Sequence, residues 1–257
     1  MPVVTIGRQL GSGGEEIAAR VAQLLGARLL DRELLVRASE RSGIPLSYLE
    51  DLDERGRSMW RRPIDLFRQV PLPPINPDVP DVTGDRYPPT GPFRARGEGL
   101  VSPVYWAAEA YATLLARTMQ AEAAAGDPAA GSSPASSAGP GAGVVIVGRC
   151  GNEALATLPG ALHVLVIAGQ RRRIERVMAA DGVNAYDARD RIKDSDRRRA
   201  AYARQFYKAG WLDPVRYDLT VTTDKLDFDA AAGIVVDAVQ RLTAATAPAE
   251  SVAAAGS

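Results

Sequence analysis

A glycine-rich turn near the start of the sequence has the residue types needed to hold a phosphate. Gly11-Ser12-Gly13-Gly14 follows the β-branched run Val3–Ile6 and precedes a helical pattern over 15–25. Glycines let the backbone approach a ligand closely, and the start of the following helix adds partial positive charge. This context favours a phosphate-binding loop over a plain flexible turn. The candidate phosphate-binding residues are Gly11, Ser12, Gly13, Gly14, Glu15 and Glu16.

The turn lacks the lysine of the common phosphate-loop pattern G-x-x-x-x-G-K-[ST]. Only three of the 31 basic residues are lysines, and none precedes residue 193. With Gly13 aligned on the last glycine, Gly14 takes the place of the lysine and Glu15 that of the magnesium-binding hydroxyl. Arg8 is the closest cation that could replace the lysine, because a guanidinium can bind phosphate through two hydrogen bonds. Glu15 and Glu16 suit the helix dipole but repel a phosphate, and they could instead help to hold magnesium.

A second basic region lies late in the chain. Residues 171–216 contain 13 Lys/Arg and 7 Asp/Glu, although the whole chain has zero net charge. Phosphoryl transfer depends mainly on positioning and on positive charge around the transferring group, which such a stretch can provide. A solvated helix face with paired charges is the alternative interpretation. Arg171, Arg172 and Arg173 cannot all face one site, because adjacent helical positions point about 100° apart.

Two polar residues follow predicted strands and are candidates for ligand contacts. Arg149 comes directly after Val144-Val145-Ile146-Val147-Gly148, and ligands of open parallel sheets bind beyond the carboxyl ends of the strands. This position favours a ligand role for Arg149 over a structural ion pair. Asp31 follows the short run 28–30 and precedes a helical pattern. Asp31 could be a helix N-cap, or it could contact magnesium or the molecule that accepts a phosphoryl group.

The elements that must position these residues alternate along the chain. Apolar runs predict strands at 3–6, 28–30, 144–147, 162–167 and 218–222. Helical patterns cover 15–25, 33–41, 103–125, 152–158, 171–205 with a break near Gly182-Val183, and 228–242. The alternation predicts an α/β fold with a mostly parallel sheet and helices on both faces. One domain is expected over 1–242, with a disordered tail at 243–257.

Two stretches of biased composition interrupt this pattern. An insert at about 55–100 is rich in proline, and its segment 61–92 holds nine of the 18 prolines. Residues 126–143 are almost entirely Gly, Ala, Pro and Ser, which predicts a flexible linker.

Composition excludes several classes of function. One cysteine rules out an intrachain disulfide, and one cysteine with one histidine argues against a Cys/His zinc site. We expect Cys150 and His163 to be packed rather than catalytic. Zero net charge argues against a general nucleic-acid binder. No apolar run approaches the roughly 20 residues of a membrane span, and a charge at Arg8 comes too early for a secretory signal. We therefore expect a cytoplasmic protein without nucleic-acid or membrane partners.

Several ordered motifs together resemble the cytidylate kinase-like family, a divergent branch of the nucleoside monophosphate kinases. They are Arg8-Gln9-Leu10-Gly11-Ser12-Gly13-Gly14, Leu30-Asp31-Arg32-Glu33-Leu34 and Val145-Ile146-Val147-Gly148-Arg149, with further similarity through 171–176, 192–199 and 211–219. The resemblance implies a P-loop kinase-like three-layer α/β sandwich with a five-stranded parallel sheet, an acceptor-binding insert and a helical lid at about 171–205. It implies transfer of the terminal phosphoryl of ATP, with Mg²⁺, to CMP or dCMP.

The resemblance also assigns roles to individual residues. Lid arginines would cover the transferring phosphates, and catalytic candidates are Arg8, Arg172, Arg173 and Arg176. Candidates for binding the acceptor are Asp31, Arg37, Arg149, Asp196 and Arg199, the last two as an Asp-x-x-Arg pair. Cys150 stands where cytidylate kinases have an aspartate. The missing loop lysine and the proline-rich insert leave two alternatives: a nucleotide-binding protein that has lost catalysis, or a kinase for another small acceptor.

Overall fold

The five predicted strands form one all-parallel sheet. The computed structural model describes residues 1–47, 49–50, 103–124 and 143–246. The strands are β1 (Val3–Arg8), β2 (Arg28–Leu30), β3 (Val144–Val147), β4 (Ala161–Ile167) and β5 (Leu219–Thr222), in the order β2-β3-β1-β4-β5. The α/β class and the parallel sheet are thus confirmed. Strand β1 is two residues longer than predicted, because Gly7 and Arg8 remain in register with Leu165 and Val166 of β4.

Seven α-helices occur in the described part of the chain. They are α1 (Gly14–Leu25), α2 (Glu33–Ser42), α3 (Pro103–Ala124), α4 (Gly151–Ala154), α5 (Gln170–Asp181), α6 (Ala185–Tyr207) and α7 (Phe228–Thr246). The predicted break near Gly182 is confirmed, since Gly182 has φ 65° and ends α5. Helix α4 is shorter than predicted, and α7 continues through Thr246, so residues 243–246 belong to a helix and not to the expected tail.

The sheet lies between two layers of helices because its strands carry apolar side chains on both faces. In β3, Val144 and Ile146 pack on one face with α2, α3 and α4. Val145 and Val147 pack on the opposite face with α1 and α7. This three-layer arrangement fits the predicted sandwich. Because all the strand pairs are parallel, the carboxyl ends of the five strands lie along one edge of the sheet.

A buried ion cluster attaches α3 to the elements around β2. Glu122 is 1% exposed and accepts hydrogen bonds from Arg28 Nη1 at 2.8 Å and Arg41 Nη2 at 2.9 Å. Burial alone would raise the pKa of Glu122, but the hydrogen bonds and charges of the two arginines outweigh it and hold the pKa below its ordinary value. Glu122 is therefore a buried carboxylate that links α3 to β2 through Arg28 and to α2 through Arg41.

The proline-rich insert and most of the linker predicted at 126–143 lie outside the described residues, as does the tail beyond Thr246. None of the helices that the structure describes is long and apolar enough to cross a bilayer.

Candidate functional site

The candidate residues gather where the parallel strands end. Strand β1 ends at Arg8, β2 is followed by Asp31, and β3 is followed by Gly148 and Arg149. Helix α5, which carries the predicted lid arginines, begins directly after β4 and Gly169. Parallel strands share one carboxyl edge, so the fold brings these distant segments to a single edge.

The glycine loop between β1 and α1 is tightly folded. Gly11 and Gly13 have φ 76° and 81°, in the left-handed region that favours glycine. Ser12 is fully buried, and its hydroxyl donates to the Gln9 carbonyl oxygen at 2.8 Å. The Gln9 side chain in turn accepts from the Ala168 N–H at 3.2 Å. Because the Ser12 side chain is committed within the loop, backbone N–H groups are what the loop can offer to an anion.

Arg8 crosses the start of α1 and reaches the end of β3. A Cβ placed on Gly14 would lie 2.5 Å from Arg8 Cβ, and a Cβ on Gly148 would collide with Arg8 Nη1. The Arg8 side chain is only 14% exposed, and its Nη2 lies 2.7 Å from Glu15 Oε1. The structure thus places Arg8 beside Gly14, the position where the common pattern has its lysine.

The three lid candidates occupy different environments. Arg173 is 5% exposed, donates to the Leu10 carbonyl at 2.7 Å, and forms a two-point ion pair with Asp196 at 2.7 and 2.9 Å. Arg172 is 58% exposed and lies 3.4 Å from Glu175. The turn of the helix therefore separates Arg172 and Arg173, as expected for adjacent positions.

Arg176 links the glycine loop to the end of β5. Its guanidinium donates to the Thr223 carbonyl and hydroxyl at 2.8 Å each and to the Gly11 carbonyl at 3.3 Å. It also lies over the Phe228 ring, 4.8 Å from the centroid, and that ring contacts Gly13. Thr223 and Phe228 were missed from the sequence, because their positions only become meaningful once β5 and α7 are placed beside the loop.

Arg149 and Asp31 meet on the β2–β3 side of the edge. Arg149 Nη1 donates to the Asp31 carbonyl oxygen at 2.8 Å and its carboxylate at 3.2 Å. The N-cap alternative for Asp31 is wrong, since the residue preceding α2 is Arg32 and no side chain caps that end. Arg37 lies one turn into α2, where it pairs with Glu33 at 3.0 Å and Glu40 at 3.6 Å.

Asp196 and Arg199 face the loop from α6. Asp196 is held by Arg173, whereas Arg199 Nη1 is buried and has no hydrogen-bond partner among the described residues. Burial and then the positive charge of Arg8 lower the pKa of Arg199 to about 10. The guanidinium groups of Arg8 and Arg199 therefore repel each other at the carboxyl edge of the sheet.

One helical turn beyond Arg199, Tyr202 brings a hydroxyl into the interior that the sequence interpretation missed. Its electrostatic neighbours include Tyr207, Cys150, Tyr111 and Arg149. The three-residue spacing of Arg199 and Tyr202 was the available signal, because residues three apart lie on one helix face.

Cys150 and His163 are packed, as expected. Burial raises the pKa of Cys150 to about 12 and lowers that of His163. His163 Nδ1 lies 2.8 Å from the Thr5 hydroxyl, inside the sheet layer. Neither group has the properties of an activated nucleophile and its base.

The candidate magnesium ligands stay apart in the structure. Glu15 contacts Arg8, Asp31 contacts Arg149, and Glu16 is exposed on α1. Across the residues described, no three His, Cys, Asp or Glu side chains converge as a metal cluster. Magnesium in phosphate sites is often held by one or two carboxylates together with the phosphates themselves. The exposed carboxylate of Glu15, at the start of α1, fits a role of that kind.

Comparison with known proteins places the chain beside a family, a solved structure and a curated enzyme. The model of the cytidylate kinase-like family matches residues 3–87 and 105–225. A crystal structure of an uncharacterized protein from Eubacterium ventriosum superposes with a TM-score of 0.57 at 18% identity, covering 93% of this chain and 99% of that one. At that identity it shows a shared fold only. The uronate isomerase of Corynebacterium glutamicum is 30% identical over 99 residues, which are 38% of this chain and about a fifth (19%) of that enzyme.

Proposed function

Because the chain belongs to the cytidylate kinase-like family, we propose that it is a nucleotide kinase that transfers the terminal phosphoryl of ATP to a nucleoside monophosphate, CMP or dCMP first among them. The family supports the nucleotide kinase class. The choice of ATP as donor and of CMP or dCMP as acceptor comes from the residues matched to the cytidylate kinase pattern.

The observation that carries the proposal is the pair of cations at the glycine loop. Arg8 is positioned over the start of α1. Burial, and then the positive charge of Arg8, lowers the pKa of Arg199. Arg199 Nη1 is a buried donor with no partner in the described structure. Two desolvated guanidinium groups that repel each other are stabilised by an anion between them, and a phosphate fits their donor geometry.

The residues divide into a donor side and an acceptor side. On the donor side, the loop N–H groups and Arg8 would bind the ATP phosphates. On the acceptor side, Arg149 and Arg199 would hold the acceptor phosphate. An acceptor phosphate oxygen forms the new bond to the terminal phosphorus, and the bond to the ADP oxygen breaks with its electron pair left on ADP. The arginines contribute positioning and charge neutralisation, and no covalent protein intermediate is needed.

Magnesium bound with ATP would add positive charge on the phosphate oxygens, with Glu15 as its candidate protein ligand.

The test is ADP release by the full chain in a coupled assay with ATP and each of CMP, dCMP, UMP, AMP and GMP. We expect turnover with CMP or dCMP, and we expect Arg8→Ala to lower kcat/KM by about 100-fold. Arg191→Ala is the matched control, because Arg191 is half exposed and pairs with Asp181 at the surface. A folded protein that binds ATP but releases no ADP with any acceptor would contradict the proposal.

One observation favours a second candidate, a nucleotide-binding protein without catalysis. The Glu15 carboxylate accepts hydrogen bonds from both Nε and Nη2 of Arg8, so it competes with a phosphate for these donors. If that pair persists with ATP bound, Arg8 cannot serve the transferring group. Calorimetric ATP binding without turnover identifies this case.

A further inference from the structure

Two buried hydrogen-bonding groups lie on one face of α6 without partners in the described structure. They are Arg199 Nη1 and the Tyr202 hydroxyl. Residues three apart are neighbours on a helix surface, so both groups leave α6 on the same side. Buried polar groups are nearly always hydrogen-bonded, so two such groups without partners on one helix face indicate a ligand that completes them.

The surroundings of Tyr202 define the kind of group it can contact. Its hydroxyl lies near the Cys150 thiol, Tyr207 and Tyr111, which are uncharged, and near the cationic Arg149. Burial, followed by the influence of the neighbouring tyrosines and thiol, raises its pKa well above the ordinary value, so the hydroxyl keeps its proton and can donate. A donor beside an arginine suits an oxygen atom that carries negative or partial negative charge.

The location assigns this group to the acceptor side of the site. Arg149 and Cys150 follow β3, on the side of the edge where Arg149 meets Asp31. The glycine loop lies on the other side of Arg8, which spans from Gly14 to Gly148. An oxygen atom at the Tyr202 hydroxyl would therefore belong to the acceptor and not to ATP.

We infer that the Tyr202 hydroxyl donates a hydrogen bond to an oxygen atom of the phosphoryl acceptor and helps to select that acceptor. This inference rests on the proposed function. Tyr217 provides the contrast within the same region: its hydroxyl donates to the Trp211 carbonyl at 2.8 Å and needs no ligand. Tyr202 lacks such a protein acceptor among the described residues, although its ring is packed 4.8 Å from that of Phe206.

The experiment compares Tyr202→Phe with Tyr217→Phe in the full chain. Calorimetry measures the Kd of CMP, of ribose 5-phosphate and of ATP, and a thermal melt gives Tm. For Tyr202→Phe we expect the Kd of CMP to rise about tenfold, the Kd of ATP to stay within twofold, and Tm to stay the same or rise. Tm does not fall because the hydroxyl that is removed makes no hydrogen bond to any residue that the structure describes. For Tyr217→Phe we expect a lower Tm, since the Trp211 carbonyl loses its donor, and an unchanged Kd of CMP.

Each result separates this inference from the proposed function. A weaker CMP complex supports the inference even without turnover. Weaker binding of ribose 5-phosphate as well assigns the contact to the ribose phosphate, and weaker binding of CMP alone assigns it to the base. A wild-type protein that turns over CMP, with an unchanged Kd in Tyr202→Phe, overturns the inference and leaves the kinase in place. A fall in Tm without a change in Kd overturns it in favour of a structural role. Wild-type protein that neither binds nor phosphorylates any monophosphate overturns both.

Discussion

Arg8 and Glu15 form an ion pair beside the glycine loop, at the start of α1. Arg8 Nη2 and Nε lie 2.7 and 3.1 Å from the same oxygen, Glu15 Oε1. Arg8 is largely buried, whereas the Glu15 side chain is 62% exposed. The carboxylate can therefore swing into solvent while the guanidinium stays, and a phosphate oxygen can take the same hydrogen bonds.

Glu15→Gln should strengthen the binding of ATP when magnesium is absent, so that only the competition for Arg8 is measured. Removing the carboxylate takes away a competitor for Arg8 and a charge that repels phosphate, so we expect the Kd of ATP to fall by about three- to tenfold at low salt. The gain should shrink as salt is added, because exposed charges are screened. Calorimetry at two ionic strengths measures it. Glu16→Gln is the matched control, and an equal gain in that variant would show general repulsion instead of competition for Arg8.

Arg173→Ala should destabilise the fold, whereas Arg172→Ala should not. Arg173 is buried against Asp196 and the Leu10 carbonyl, and losing it strands both partners at a cost of about 3 kcal/mol in the free energy of unfolding. Arg172 is exposed, so its loss should leave stability unchanged and lower kcat only if it reaches the phosphates. Urea unfolding and turnover separate the two effects. Wild-type stability in Arg173→Ala would contradict this assignment.

Cys150 should react slowly with iodoacetamide in the folded protein. Its pKa of about 12, raised by burial and by Glu153, leaves almost no thiolate at pH 8. We expect the rate to climb about tenfold per pH unit from pH 7 to 10 without levelling, because the thiolate fraction keeps rising below the pKa. Urea-unfolded protein is the control, since this is the only cysteine in the sequence. A rate that levels near pH 7 would indicate an activated thiol.

Glu122→Gln should cost about 3 kcal/mol of stability at pH 7, because an amide cannot accept from both arginines. The pKa of Glu122 is depressed by folding, so its contribution is present above the unfolded pKa near 4.5 and is lost as pH falls through the lower folded pKa. The gap between wild type and variant should therefore narrow in acid. Urea unfolding at pH 7 and pH 4 measures it, with Asp181→Asn in an exposed ion pair as control. A gap that widens in acid would contradict this.

The sheet was predictable because buried parallel strands require continuous apolar runs, and Val144–Val147 is such a run with the bounds observed. Strand β1 was underestimated because Gly7 and Arg8 look like a turn until β4 pairs with them. Helix α7 exceeded its prediction because the alanines beyond Leu242 carry no boundary signal.

The site was only partly predictable, since several of its contacts join distant segments. Arg8 could be found from its place before the loop, and its position beside Gly14 agrees with that expectation. The burial of Arg173 had a signal in Val177, four residues later on the same buried face, but its bond to Asp196 depends on how α5 packs against α6. Tyr202 could not be found from the sequence, because only the structure shows that its hydroxyl has no hydrogen-bond partner among the described residues.

The glycines at 14 and 148 keep space clear for Arg8. A lysine at position 14, as in the common pattern, would place its Cβ against the Arg8 side chain. A lysine at position 14 and an arginine at position 8 thus exclude each other sterically. A change from the arginine to the lysine needs positions 8 and 14 to be altered together. In a variant with Gly14→Lys alone, the new side chain would displace Arg8 from its position beside the loop.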